Sequence, residues 1–123
     1  MSSLKEGLGR NHLLLAADGG HLWAVQRLIE NGVRVDNKDT KAQTALMLAA
    51  NRGYEAIVKH LVEKGASVDI QSEDGTTGLL AAVMRGHEGI VKHLVEKAGA
   101  QVDLQNVHGR TALMFAARLG QAF

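Results

Sequence analysis

The sequence predicts an all-α solenoid of stacked helix–turn–helix units. The main observation is an octapeptide, Ile-Val-Lys-His-Leu-Val-Glu-Lys, that occupies residues 57–64 and again 90–97, 33 residues later. A repeat period of this length is typical of units that stack on one another without closing around one central core. The composition agrees, because 46% of the residues are hydrophobic and only 3% are aromatic, as closely stacked helices require.

The first helix is predicted between a threonine and a glycine in the second, third and fourth units, and from the matching apolar run at 13–17 in the first. In the second unit Thr44 comes directly before the apolar run Ala-Leu-Met-Leu-Ala-Ala, and Gly53 follows that run. A threonine side chain accepts a hydrogen bond from the first helical turn, and glycine readily adopts the left-handed conformation that ends a helix. This pattern predicts first helices at 12–18, 45–52, 78–85 and 112–119.

The second helix of each unit is predicted from a stripe of apolar residues. In the second unit the spacing i, i+1, i+4, i+5 is occupied by Ile57, Val58, Leu61 and Val62. This spacing places the four side chains on one helix face, and polar residues occupy the opposite face. Equivalent residues predict second helices at 22–31, 55–64 and 88–98.

Four units follow one another, and the fourth stops early. We expect a single domain at 1–123, with units at about 11–38, 39–71, 72–105 and 106–123. The chain therefore contains three full helix–turn–helix units plus a truncated fourth. Phe115, Leu119 and Phe123 are apolar, and no polar cap follows them. We expect either a fragment of a longer array or an end that a second copy covers.

Several residue types recur at matching positions of the units. They are Thr44, Leu46, Ala49 and Ala50 in the second unit, Gly75, Thr77, Leu79, Ala82, Gly86 and His87 in the third, and Gly109, Thr111, Leu113, Ala116 and Ala117 in the fourth. In this order the chain resembles the ankyrin-repeat family, whose repeat of about 33 residues contains Thr-Pro-Leu-His-x-Ala. The chain has no proline, so Ala45, Gly78 and Ala112 stand where that family has one.

The sequence does not predict an enzyme, a cofactor or a metal site. It contains no phosphate-binding loop of the Walker type, no Gly-x-Ser-x-Gly and no His-Glu-x-x-His. The chain has no cysteine, which excludes a disulfide framework and a cysteine-ligated metal. His60 and His93 are predicted at equivalent positions on the outer faces of adjacent units. A zinc site needs three or four converging ligands, and no others are apparent.

Nucleic-acid and membrane binding are not predicted either. The 14 lysines and arginines nearly balance the 13 acidic residues, whereas proteins that bind duplexes usually have a strongly basic face. The apolar runs at 13–17 and 78–84 are much shorter than the roughly 18 residues that span a bilayer. The N-terminal residues lack the apolar stretch of a signal peptide. We therefore expect an intracellular, cytoplasmic protein.

The remaining function is that of a protein-binding scaffold. The resemblance implies recognition of a partner protein through the turn tips and the concave face of the stack. Carried over position by position, the predicted contact residues are Thr40, Lys41, Gln43, Asn51, Arg52, Glu73, Asp74, Thr76, Met84, Arg85, His108 and Arg110. Arg52 and Arg85 end adjacent first helices, and further charges are predicted on the same side. We therefore expect a mildly basic groove that prefers acidic segments, with Lys41, Arg110 and Arg118 adding to the two arginines and mainly Asp18, Glu73 and Asp74 opposing them. The alternative is a structural, self-assembling element that forms homo-oligomers through the C-terminal end.

Overall fold

The computed structural model describes residues 12–120, and seven helices lie within this part. Their bounds are α1 at 12–18, α2 at Leu22–Glu30, α3 at Ala45–Arg52, α4 at Glu55–Glu63, α5 at Gly78–Arg85, α6 at Glu88–Glu96 and α7 at Ala112–Leu119. The described part contains no strand. The predicted all-α stack of helix pairs is therefore confirmed. None of these helices is long and apolar enough to cross a membrane.

The predicted helix ends are correct to within two residues. The first helices agree with the prediction, whereas the second helices end at Glu30, Glu63 and Glu96, one or two residues early. Each of these helices ends in a C-cap residue: Asn31, Lys64 and Lys97. The apolar stripe does not show whether a residue shortly before the glycine is the last residue of the helix or its C-cap.

Helices α3, α5 and α7 begin at threonine N-caps, as the sequence predicts. The hydroxyl oxygens of Thr44, Thr77 and Thr111 accept hydrogen bonds from the backbone N–H three residues later, at 3.4, 3.1 and 3.1 Å. All three threonines are buried. A buried cap satisfies an N–H that would otherwise lack a partner, and such a cap contributes about 1 kcal/mol.

The core is a continuous band that passes from unit to unit. Helix α5 contacts both α3 and α7, and the second helices α2, α4 and α6 contact one another in sequence. The first three units all contribute large side chains with almost no exposure. These include Leu13, Ile57, Leu61, Leu79, Leu80, Ile90 and Leu94. Because each unit buries its apolar face against its neighbours, the loss of one contact destabilises adjacent units as well.

Aspartates in the long loops connect one unit to the next. The carboxylate of Asp36 accepts a hydrogen bond from the backbone N–H of Ser67 at 3.0 Å. One unit later, Asp69 accepts one from the N–H of Gln101 at 2.9 Å. These bonds fix the spacing of neighbouring units at the loop side of the stack.

The predicted outer position of His60 and His93 is partly wrong. Both side chains are half-buried, and the Nε2 atom of each is buried without a hydrogen-bond partner among the described residues. His60 follows the buried Ile57 by three residues, so it lies at the edge of the apolar stripe.

Candidate partner-binding groove

Three turns project from the starts of the first helices α3, α5 and α7. They span residues 39–43, 72–76 and 106–110. In each turn the first residue donates its backbone N–H to the carbonyl of the fifth, at 3.0, 2.9 and 2.9 Å. The three turns therefore have the same backbone frame, and their differences arise from their side chains.

In two of these turns the side chain of the first residue stabilises the turn by hydrogen bonds to the backbone. Asp39 Oδ1 accepts hydrogen bonds from the N–H groups two and four residues later, at 2.9 and 2.8 Å. Asn106 Oδ1 does the same in the last turn, at 2.9 and 3.1 Å. These side chains satisfy backbone donors that the turn leaves free, which is a common use of Asp and Asn in turns.

The third unit braces its turn differently. Ser72 stands where the other turns have Asp39 and Asn106, and the carboxylate of Asp74 accepts hydrogen bonds from the Ser72 hydroxyl and from Thr76 N–H. These bonds, chiefly the one from Ser72, lower the pKa of Asp74 below its usual value, because they favour the ionised carboxylate. Asp74 is therefore charged at neutral pH and has a structural role in its own turn.

Backbone hydrogen bonds join the turns into a row. Glu73 N–H donates to the carbonyl of Lys41, and Val107 N–H donates to the carbonyl of Asp74, both at 2.9 Å. We call this side of the concave face the turn wall. Its residues are Lys41, Gln43, Ser72, Glu73, Asp74, Thr76 and Val107.

The opposite side of the concave face is formed at the C-terminal ends of the first helices. Arg52 Nε donates to Asp18 Oδ1 at 3.1 Å, and one unit later Arg85 Nε donates to Asn51 Oδ1, also at 3.1 Å. The hydrogen bond to Asp18 and its negative charge raise the pKa of Arg52. Arg52 is thus neutralised by a carboxylate, whereas Arg85 has a neutral partner.

The two sides enclose a groove of about 870 Å³. The turn wall is one side, and Asn51, Met84 and Arg85 form the other, which we call the helix wall. The floor consists of Met47, Leu48 and Ala81 from the first helices. Met84 is 50% exposed, so the helix wall presents an apolar side chain next to a charged one.

Eight of the twelve predicted contact residues line this groove. They are Lys41, Gln43, Asn51, Glu73, Asp74, Thr76, Met84 and Arg85. The other four, Thr40, Arg52, His108 and Arg110, are exposed beside it. Arg52 is paired with Asp18, and the Arg110 guanidinium lies 5.9 Å from the centre of the Phe115 ring. That any of these residues contacts a partner stays a prediction.

The sequence interpretation missed the floor and one turn residue. Five lining residues are not among those twelve. One is Val107, which the sequence places at a turn tip beside His108, and the four missed residues are Met47, Leu48, Ser72 and Ala81. A usable signal was present, because Leu48 precedes Asn51 by three residues and Ala81 precedes Met84 by three. Residues three apart lie on the same helix face, so the predicted helix wall implied these two floor positions.

The charges of the lining are balanced but separated. Lys41 and Arg85 are cationic, and Glu73 and Asp74 are anionic. The mildly basic groove expected from the sequence also counted Arg52, Arg110 and Arg118. These three arginines lie outside the lining, and Arg52 is paired with Asp18. The structure places two anions in the turn wall and an uncompensated cation in the helix wall.

The apolar surface at the last described helix differs from the predicted one. Phe115 was expected to be uncovered, but it is half-buried and packs against the core. Leu119 is 52% exposed, and Phe123 lies outside the described residues. The most exposed apolar residues of α7 include Leu113 at 52% and Met114 at 55%.

Comparison with known proteins identifies one family. A family model described as ankyrin repeats in three copies matches residues 2–72 and 57–122. The two matched ranges overlap and together include all seven described helices. A search of curated proteins found no match.

Proposed function

The chain belongs to the ankyrin-repeat family, and we propose that it is a recognition module that binds a segment of a partner protein in its concave groove. Ankyrin repeats generally mediate protein–protein interactions and typically act as non-enzymatic scaffolds. We further propose that residues 1–123 form one domain of four units, at about 11–38, 39–71, 72–105 and 106–123.

The groove of about 870 Å³ is the observation that carries this proposal. It has polar sides and an apolar floor, which is the usual arrangement of a protein interface with a hydrophobic centre and a polar rim. It is also long enough to involve residues of three units, from Lys41 to Val107. We propose that the eight predicted residues in the lining contact the partner, with Thr40, Arg52, His108 and Arg110 at the rim.

Obstruction of the groove tests this function. Met84→Trp adds bulk at an exposed position of the helix wall without changing charge. Peptides are first selected on the full chain from a displayed library, and their affinities for the variant are then measured by calorimetry. We expect a loss of about tenfold or more, equivalent to about 1.4 kcal/mol.

Ala56→Trp is the matched control. Ala56 is exposed on α4, and Trp23 occupies the corresponding position of the first unit at 72% exposure. A tryptophan is therefore tolerated at this kind of position, away from the groove. Selected peptides that bind both tryptophan variants as tightly as the original chain would show that the groove is not the binding site.

A second candidate function is self-association through α7. Leu113 and Met114 are about half exposed, whereas the corresponding Leu46 and Met47 of the second unit are only 2% and 5% exposed. An apolar surface of this kind can be covered by a second copy. Sedimentation velocity of the original chain and of Met114→Glu tests the idea. A monomer at high micromolar concentration for the original chain would exclude this function.

A further inference from the structure

Arg85 is oriented but not neutralised. Its Nε donates to the neutral Asn51 side chain at 3.1 Å, and none of the ion pairs among residues 12–120 includes it. A bond at Nε fixes the guanidinium plane and leaves its two terminal nitrogens for another group. Such nitrogens bind a carboxylate through two parallel hydrogen bonds. The equivalent Arg52 already has Asp18 as its carboxylate partner.

The turn wall has the opposite charge. Glu73 and Asp74 are both exposed, and Lys41 is the cation on the same wall. Asp74 is held in the ionised form by the bonds that lower its pKa. Glu73 takes part in no ion pair among the described residues. The wall therefore has two anions against one cation, and a partner cation would find a carboxylate there.

The region between the two walls is apolar. Leu48 and Ala81 form part of the floor, and the exposed half of Met84 lies next to them in the lining. Burial of an aliphatic or aromatic side chain here would remove apolar surface from water on both molecules, which favours binding. The walls and floor thus specify three side-chain types across the groove.

We propose that the groove recognises a protein segment with a carboxylate towards Arg85, an apolar side chain on the floor and a lysine or arginine towards Glu73 and Asp74. This inference rests on the proposed function and adds the chemistry of the partner. A uniformly acidic segment is disfavoured by the turn wall, and a uniformly basic one by Arg85. Both effects act within a Debye length of about 10 Å.

The test begins with peptides selected from a random displayed library on the full chain. We expect the enriched peptides to combine an acidic, an apolar and a basic residue within one short segment. Two variants of the helix wall are then compared. Arg85→Glu reverses the charge, and Asn51→Asp gives Arg85 an internal carboxylate in the arrangement that Asp18 and Arg52 already show. Each variant is expected to lower the affinity about tenfold, because the charge-assisted hydrogen bonds between Arg85 and the peptide carboxylate are lost.

Complementary changes in protein and peptide make the test specific. Replacement of the acidic peptide residue by lysine should restore binding to Arg85→Glu, and replacement of the basic residue by glutamate should restore binding to Glu73→Lys. A double-mutant cycle measures this coupling directly. Lys92→Glu is the control, because it makes the same charge change at an exposed position of α6.

The outcomes separate this inference from the proposed function. Peptides that lose affinity for Met84→Trp but bind Arg85→Glu and Glu73→Lys normally would overturn the charge pattern and leave the groove as the binding site. Peptides that bind all three variants normally would overturn both proposals. A selection that enriches no peptide also counts against the inference, because a short segment of the stated chemistry should be sufficient.

Discussion

The second and third units have identical octapeptides in their outer helices, yet they differ on the side that faces the groove. Ile57 and Ile90 are both 2% exposed, and Leu61 and Leu94 are both fully buried. In the turns, by contrast, Ala42 of the second unit corresponds to Gly75 of the third. Each of these two outer helices packs its apolar stripe against the first helix of its own unit, so the same residues serve in both. The groove side is open to solvent, and there the units differ.

The turns of the second and third units differ in the space available at their fourth residue. Ala42 has a φ of 59° and Gly75 a φ of 84°, so both residues are in the left-handed region. A Cβ atom on Gly75 would lie 2.6 Å from the Cα of Asn106, whereas the second turn already accommodates the Cβ of Ala42. The second turn therefore stores strain in an alanine, while the third requires a glycine for space as well as for conformation.

Substitution of Gly75 by alanine is expected to have the largest effect. The variant combines left-handed strain with a contact against the backbone of the next turn, so it should destabilise the fold by about 2 kcal/mol or more. Urea unfolding measures the change. Gly109→Ala is the control, because its φ of 72° is similar but no atom lies within 4 Å of the added Cβ. It should cost only about 1 kcal/mol, and equal losses would show that the turn contact has no energetic weight.

The shared octapeptide predicts equal effects at His60 and His93. Each buries an Nε2 atom without a hydrogen-bond partner among the described residues. Leucine removes that polar atom and adds apolar surface, so each His→Leu variant should raise stability by about 1 kcal/mol. The midpoint of urea unfolding should rise with an unchanged slope. A gain at one site and a loss at the other would mean that the two outer helices are not equivalent.

Replacement of Ala42 in the second unit's turn by glycine, the residue of the third unit's turn, should give a smaller gain in stability. Ala42→Gly relieves the left-handed strain but increases the entropy of the unfolded chain, and we expect a net stabilisation of about 0.5 kcal/mol. Ala56→Gly, on an exposed helix face, should instead cost about 1 kcal/mol. Thermal unfolding of both variants distinguishes the two cases. A destabilised Ala42→Gly variant would contradict the proposed strain.

The smallest expected effect is a loss of folding stability at low pH that arises from Asp74 in the third unit's turn. The pKa of Asp74 is lowered in the folded state, so its stabilising effect is complete above the unfolded pKa of about 3.9. This effect is lost as the pH falls through the folded pKa. Asp74→Asn should therefore reduce the loss of stability between pH 5 and pH 3. Identical acid profiles for the variant and the original chain would exclude this contribution.

The sequence predicted the helices well because their signals are local. Thr44 and Gly53 bracket α3, and an apolar stripe marks α4. The groove floor was harder to predict, since five of the eight residues of α3 are buried and the run appears uniformly apolar. Whether an apolar residue such as Leu48 faces a neighbouring unit or the open groove depends on the stacking direction.

Charge pairing and local strain also required the structure. The sequence aligns Arg52 with Arg85, but only the geometry shows that one meets a carboxylate and the other an amide. The burial of the Nε2 atom of His60 is also not indicated by the residue type. The strain at Ala42 could have been suspected, because it aligns with two glycines, Gly75 and Gly109.

The two walls of the groove differ in how rigidly they are tied. Backbone hydrogen bonds at 2.9 Å join the turns, whereas side-chain bonds join the units at the helix wall. These are an exposed bond from Arg85 to Asn51 and a half-buried one between His87 Nε2 and the Asn51 carbonyl. Exposed side-chain bonds exchange easily with water, and they contribute little to stiffness. We expect neighbouring units to separate more easily at the helix wall than at the row of turns. A bulky partner would then widen the groove by moving the residues of the helix wall apart, and the hydrogen bonds between the turns would stay intact.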